Sequence, residues 1–363
     1  MSEKQPQSSL VNPYLMLLLA LCLLVLSACS RPQETPAATC QPTAAPTSTP
    51  TRTPRPSLTP TPTATPTPRP PGAEDMPFKM GVVLSPIDQN ALAASGVLSQ
   101  YLFEQTGLAF QVEYYERYED LLHDLGDYSL HAAWLPPLTY VYAQQEDLAE
   151  ANLLVNHYGT YAIGVQFLAP SSTGAQVSFN AEKNINTANA ATALRQFQGK
   201  TPCWVSRTSA SGYVVPAAIL AQNSIPVQPG AMLQSHSAVI RALYAGGICD
   251  FGATFSISGD PRTAPDLLAE YPDILEEMPI VWRSDPIIPN LNLSYHPFIQ
   301  DDLRSTINVA LFNYISSPEG QQTLSDTLQY HVQDLKWVED DLYQPLTELL
   351  EILGEDLEIF IGG

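Results

Sequence analysis

Cys203-Trp204-Val205-Ser206-Arg207-Thr208-Ser209-Ala210-Ser211-Gly212-Tyr213 is the stretch from which the rest of the chain can be read. An apolar strand over Thr201 to Val205 runs into a turn rich in hydroxyls, then Gly212, then a helix over Tyr213 to Ala221. Helix N-termini present N–H groups that lack carbonyl partners, together with a partial positive charge, and neighbouring hydroxyls add directed donors. The pattern suits a tetrahedral oxyanion held by Thr208, Ser209, Ser211 and backbone amides. An ordinary serine N-cap has the same appearance. Hydrogen bonds to a charged group contribute roughly 1.5–3 kcal/mol each. Four or five would therefore reach micromolar affinity, about −8 kcal/mol.

Strand-like and helix-like patterns alternate on either side of this segment. Upstream, Lys79 to Leu84, Ala109 to Tyr115 and Leu130 to Leu135 read as strands. Ala91 to Thr106, Tyr118 to Leu125 and Leu138 to Gln145 read as helices. Such an order predicts a sheet of parallel strands covered by helices. A second unit of the same kind follows a polar insert, 171–192, with a helix over Val239 to Tyr244 and strands over Ile248 to Thr254 and Ile280 to Trp282. Helices over Asp301 to Ile315, Glu319 to Leu328 and Leu342 to Ile352 close the chain. Two α/β lobes with a cleft between them is the simplest architecture.

A second polar group lies in this half. His236, between Ser235 and Ser237 at a helix start, reads as an oxyanion donor or as a structural cap. Asp250 reads as a cleft-facing carboxylate or as a solvated strand end. Cys203 and Cys249 sit in two strand-like segments and form either a disulfide or two buried thiols; an oxidising compartment favours the bond. No nucleophile elbow, zinc-protease motif, phosphate-binding Walker loop or paired Cys-x-x-Cys is present, and the six histidines lack metal-ligand spacing. The chain thus reads as a binder, neither an enzyme nor the holder of a cofactor or metal.

Composition narrows the class further. The 363 residues carry 16 Lys+Arg against 37 Asp+Glu, a net charge of −21, which excludes a general nucleic-acid binder. Thirty-three prolines are too many for folded domains alone. Most of the excess falls between Ser30 and about Gly72, where Pro and Thr alternate and large apolar side chains are nearly missing. Such a stretch cannot bury enough surface to fold. At ~3.1 Å per residue it reads as an extended spacer on the order of 100 Å long. Ahead of it, Lys4 precedes the apolar run Leu15 to Leu26, which is too short for a comfortable membrane span and suits an export signal. Leu26-Ser27-Ala28-Cys29 resembles the bacterial lipobox, so Cys29 is expected to carry lipid; a plain signal peptide or an uncleaved anchor are the alternatives. The expected plan is signal 1–29, stalk 30–75, a first lobe of 76–170 with 286–363, and a second lobe of 171–285.

The blocks together resemble the phosphate/phosphite/phosphonate-binding proteins of bacterial ABC importers. Gln198-Gly199-Lys200-Thr201 and Ser209-Ala210-Ser211-Gly212-Tyr213 are similar to that family's GKT…STSGY signature. Ser235 to Leu243, Cys249 to Thr254, Val281 to Ser284 with Ile288 to Asn290, and Ala133 to Tyr140 match its further blocks in order. The resemblance implies a type II periplasmic-binding fold: two lobes, each a mainly parallel sheet flanked by helices, closing over a small anion and docking on a membrane permease. It implies Ser209 and Ser211 as oxyanion donors, with Tyr213 following the anion loop. It adds His236 as a further donor, and Tyr118 and Tyr140 as residues lining the first-lobe side, each of which reads equally as core. It implies an extracytoplasmic, lipid-anchored monomer. Ala210 stands where the family has a hydroxyl, Pro136 where it has Gly, Ser237 and Leu291 where acids are frequent. The two missing acids favour an anion without an amine: phosphate, phosphite or methylphosphonate. The same fold serving another small ligand, or presenting ligand to a receptor as a sensor, is the alternative.

Overall fold

The structure, a computed structural model, describes residues 71–339, 341–354 and 356–362. The export signal, Cys29, Cys40 and the Pro/Thr stretch up to Pro70 lie outside the described residues. Among the described residues, no helix is long and apolar enough to cross a membrane.

The first sheet starts with three parallel strands, β1 (Phe78–Val83), β2 (Phe110–Tyr115) and β3 (Ala132–Leu135). They are linked by α1 (Gln89–Thr106) and α2 (Tyr118–Gly126), and α3 (Pro137–Gln145) follows. Local chemistry explains α1. The Asp88 carboxylate caps it by accepting from the Asn90 amide, and its buried residues Ala91, Ser95, Leu98 and Leu102 repeat every three or four positions. Gly107, at φ 72°, ends it where a side chain would be strained. In β1, Phe78, Met80 and Val82 face one core, while Gly81 lets the other face approach closely: a Cβ there would lie 2.6 Å from Leu130 Cδ2.

The sheet is completed by β13 (Asn292–Tyr295), β4 (Glu150–Asn156) and β14 (Asp334–Trp337), all antiparallel to their neighbours, in the order β14-β4-β13-β3-β1-β2. The second sheet holds β5 (Ala162–Leu168), β8 (Pro202–Trp204), β9 (Ala231–Met232), β10 (Phe251–Ser256), β11 (Ile280–Arg283) and β12 (Ile288–Pro289). Here β8 runs parallel to β9 and β10, and β5 antiparallel to β10, β11 and β12. Both sheets are therefore mixed, where mainly parallel ones were expected. The antiparallel members include β4, β5 and β13, which carry the chain from one sheet to the other and back. Their short apolar runs have no period that marks them in the sequence.

The chain crosses between sheets twice, at 157–161 and at 290–291, so the first crossing precedes the boundary expected at residue 171. Asn290 fastens the two crossings together. Its Nδ2 donates to the carbonyls of Val155 (3.2 Å) and Thr160 (2.7 Å), and its backbone N–H donates to the Tyr161 carbonyl. The polar insert 171–192 is ordered against the second sheet. It contains a hairpin of β6 (Phe179–Asn180) and β7 (Ile185–Asn186), and the Asn186 side chain bonds the backbone of Arg283 in both directions. Cys203 and Cys249 form a disulfide with Cα atoms 5.6 Å apart, as expected.

Helices α6 (Asp301–Ile315) and α7 (Pro318–Leu328) pack on α1 over the first core. The C-terminal segment behaves differently. Its helix α8 (Gln344–Leu353) packs against α4 (Val215–Gln222) of the second lobe. Its end reaches the first lobe, where Thr139 Oγ1 donates to the Phe360 carbonyl and the Glu119 amide to the Ile361 carbonyl. Residues 344–361 thus form a third link between the lobes.

Candidate functional site

The hydroxyl-rich turn lies at the C-terminal end of β8. The Ser209 amide donates to the Ser206 carbonyl, and Val205 N–H reaches the Gly212 carbonyl, folding the loop back on its own strand. The amides of Tyr213 and Val214 both donate to the Ser209 carbonyl, opening a π-helical turn (Ala210–Val214) ahead of α4. Such turns are rare and concentrate at functional sites. Ser209 Oγ accepts from the Gly212 amide at 3.1 Å, which leaves the hydroxyl proton to be donated outward. Gly212 is required by space: a Cβ would collide with Val205 and lie 2.8 Å from Ser209 Oγ. Ser211 is buried, Ser209 half-buried and Thr208 exposed. The first amides of the turn, those of Ala210 and Ser211, have no helical carbonyl behind them.

His236 is brought to the same loop. The Leu233 and Gln234 amides donate to the Trp204 and Val205 carbonyls, and Ser235 caps α5 (His236–Ala245) by accepting from the Ala238 amide. His236 Nδ1 is buried without a hydrogen-bond partner, and its ring meets Phe255 edge-on at 4.9 Å. Burial lowers its pKa to about 4, so the ring is neutral at pH 7. Ser256, at the same end of the parallel strands, also has a buried hydroxyl without a partner. The sequence did not single it out; its one signal is its place at the strand end.

A cleft of about 390 Å³ lies between the lobes. The first lobe contributes Val82 and Val83 at the end of β1 with Leu84, Tyr118 at the start of α2, Trp134 of β3, and Pro136 and Pro137 after that strand. The second contributes Ile163, Ala210, Ile288 and Pro289, Asn290 and Leu291 belong to the crossing, and Leu328, Gln329 and Tyr330 complete the lining. No lining side chain is charged. Arg262 pairs with Asp260, Arg241 with Asp266 and Glu270, and Arg304 with Glu150, none of them lining the cleft. Burial pushes the Tyr118 hydroxyl up to about 12, so it stays protonated and able to donate.

Of the expected residues, Tyr118 lines this cleft, Ser209 and Ser211 flank Ala210, which also lines it, and His236 follows the segment tied to the same loop; the other four lie elsewhere. Tyr140 is core: its ring packs on Tyr343 at 4.2 Å and its hydroxyl accepts from the Ala151 amide. Tyr213 turns to the far side of the loop, into a separate depression of about 750 Å³ with Trp204 and Arg207, because the π turn rotates it away from Ala210. Asp250 lies at the opposite, N-terminal end of the parallel strands, where it exchanges hydrogen bonds with the backbone of Thr201. Thr208 bonds Ser206 on the exposed side.

Residues 80–343 match the family model described as ABC transporter, phosphonate, periplasmic substrate-binding protein. The chain belongs to that family. It is thus a phosphonate-type substrate-binding protein of an ABC transporter, an extracytoplasmic transport component and not an enzyme. Among curated proteins, none matches the chain. Similar solved structures include XAC2383 from Xanthomonas citri bound to ATP, with 14% identity and a TM-score of 0.57 over 78% of this chain and 98% of that one. PhnD1 from Prochlorococcus marinus in complex with methylphosphonate has 15% identity and a TM-score of 0.50 over 77% of this chain and 98% of that one. At these identities the likeness establishes the two-lobed fold. In this binding protein Ala210, between Ser209 and Ser211, presents a methyl group to the cleft.

Proposed function

We propose that the cleft captures a small phosphorus oxyanion (a phosphonate, phosphite or phosphate) and that the closed protein hands it to a membrane permease. The observation that carries this reading is the turn Ser209–Ser211 at the cleft edge. It combines the Ser209 and Ser211 hydroxyls, helix-start amides and, on the neighbouring segment, the unpartnered Nδ1 of His236. The proposed donors are the Ser209 and Ser211 hydroxyls, the Ala210 and Ser211 amides, His236 and Tyr118. Five or six hydrogen bonds to an oxyanion suffice for micromolar binding without a cation, at roughly 1.5–3 kcal/mol each. The methylphosphonate complex of PhnD1 supports the ligand class. Calorimetry with phosphate, phosphite, methylphosphonate and 2-aminoethylphosphonate tests it: micromolar or tighter binding of at least one is expected, and silence from all four refutes it.

The N-terminal part of the proposal is a lipid tether at Cys29, followed by the Pro/Thr stalk as a spacer. Cys29→Ala is expected to move the protein from the membrane fraction to the soluble one and to abolish incorporation of labelled fatty acid. An unchanged membrane fraction would rule the tether out.

A further inference from the structure

We infer that the cleft selects phosphonates whose carbon substituent is apolar and larger than methyl, such as butyl or phenyl; this rests on the oxyanion reading above. Besides Ala210 of the turn, the lining is supplied by Ile163 and Ile288 of the second lobe, Val82 and Leu84 of the first, and Leu291 of the crossing. A phosphonate whose oxygens face the turn therefore directs its carbon substituent at hydrocarbon.

Charge argues the same way. An ammonium group on the substituent would leave water without meeting a carboxylate, because no acidic side chain lines the cleft. The polar side chains of the lining are Tyr118, Trp134, Asn290, Gln329 and Tyr330, and Trp134 Nε1 and Asn290 Nδ2 are already spent on Met80 and on the Val155 and Thr160 carbonyls, so a polar substituent finds few partners. Size agrees as well. A cavity of about 390 Å³ falls in the range that encloses drug-sized ligands, well beyond what a methyl group fills. Each further buried methylene improves affinity by roughly fourfold, so butylphosphonate gains about fiftyfold over methylphosphonate if the whole chain is buried. Phosphate and phosphite, which bring no carbon, are the weakest uncharged-substituent ligands.

The test is calorimetry on the purified protein with methyl-, butyl-, phenyl- and 2-aminoethylphosphonate, and with phosphate as the bare oxyanion. The expected series is butyl and phenyl tighter than methyl by tenfold or more, with 2-aminoethyl weaker than methyl. Ala210→Ser, which places a hydroxyl on the apolar wall, is expected to lower the butyl-to-methyl ratio by at least threefold. Methylphosphonate binding as tightly as butylphosphonate overturns the inference and leaves the oxyanion reading intact. So does 2-aminoethylphosphonate heading the series. Absence of binding by all five overturns the oxyanion reading itself.

Discussion

His236 is neutral because its ring is buried, and its Nδ1 has no partner until something enters beside it. An anion held at the adjacent turn stabilises the protonated imidazole and raises its pKa from about 4. Binding therefore takes up protons and tightens as pH falls from 7 towards 5. Calorimetry in buffers of different ionisation enthalpy reads this directly, and the uptake should vanish in His236→Gln. Without ligand the sign reverses. A histidine whose folded pKa is depressed stabilises the fold fully above its unfolded value near 6.5, and that stability is lost as pH drops towards 4. His131, buried and accepting from the Lys79 amide, adds to this loss over the same window. Denaturant midpoints between pH 7 and 4.5 should therefore fall, and His131→Gln should flatten the slope. The motif Ser209-Ala-Ser-Gly212 was legible because capping and close packing are local chemistry. Gly212→Ala should lower stability by about 2 kcal/mol or more, since Val205 cannot retreat from a buried strand end. Tyr140 and Asp250 were not legible. Which end of a strand faces the cleft, and which face of a helix faces the core, depends on partners distant in sequence.

At the scale of elements, the C-terminal segment lies beyond the family match, which ends at Tyr343 where α8 begins at Gln344. The described residues of 344–361 join α4, the helix that follows the hydroxyl-rich turn, to Thr139 and Glu119 of the first lobe. Opening the cleft has to strain or release this strap. Phe360→Ala, which removes its buried anchor, should cost about 3 kcal/mol and speed ligand release several-fold. Stopped-flow displacement against wild type measures the release; unchanged rates with lowered stability would confine the strap to a packing role. The Cys203–Cys249 bond closes a separation of 46 residues within the second lobe, worth about 4 kcal/mol by chain entropy. Reduction should lower the denaturant midpoint accordingly. Helices were the most legible elements: α6 spans the residues the sequence marks, because its apolar spacing and its acidic first turn, Asp301 and Asp302, are local. The crossing strands β4, β5 and β13 were missed, because their burial runs in continuous blocks without the alternation that marks a strand.

The whole molecule is strongly acidic, with a net charge of −21, yet its cleft is lined without charge. Affinity for an anion then comes from hydrogen bonds at contact distance, while the long-range field repels it. Salt screens that field beyond ~8 Å at physiological strength, so the association rate should rise with ionic strength, opposite to a cation-lined site. The two-lobed plan was legible from the order of elements, and the mixed sheets were not, since parallel and antiparallel pairing differ only in where the chain returns. The measurement that bears most directly on the account is the methylphosphonate dissociation constant of wild type and of the Ser209→Ala/Ser211→Ala double variant, with folding checked by circular dichroism. Two lost hydrogen bonds to a charged ligand predict at least a hundredfold weakening from micromolar binding. Wild-type affinity in the folded double variant would contradict the assignment of this turn as the oxyanion site.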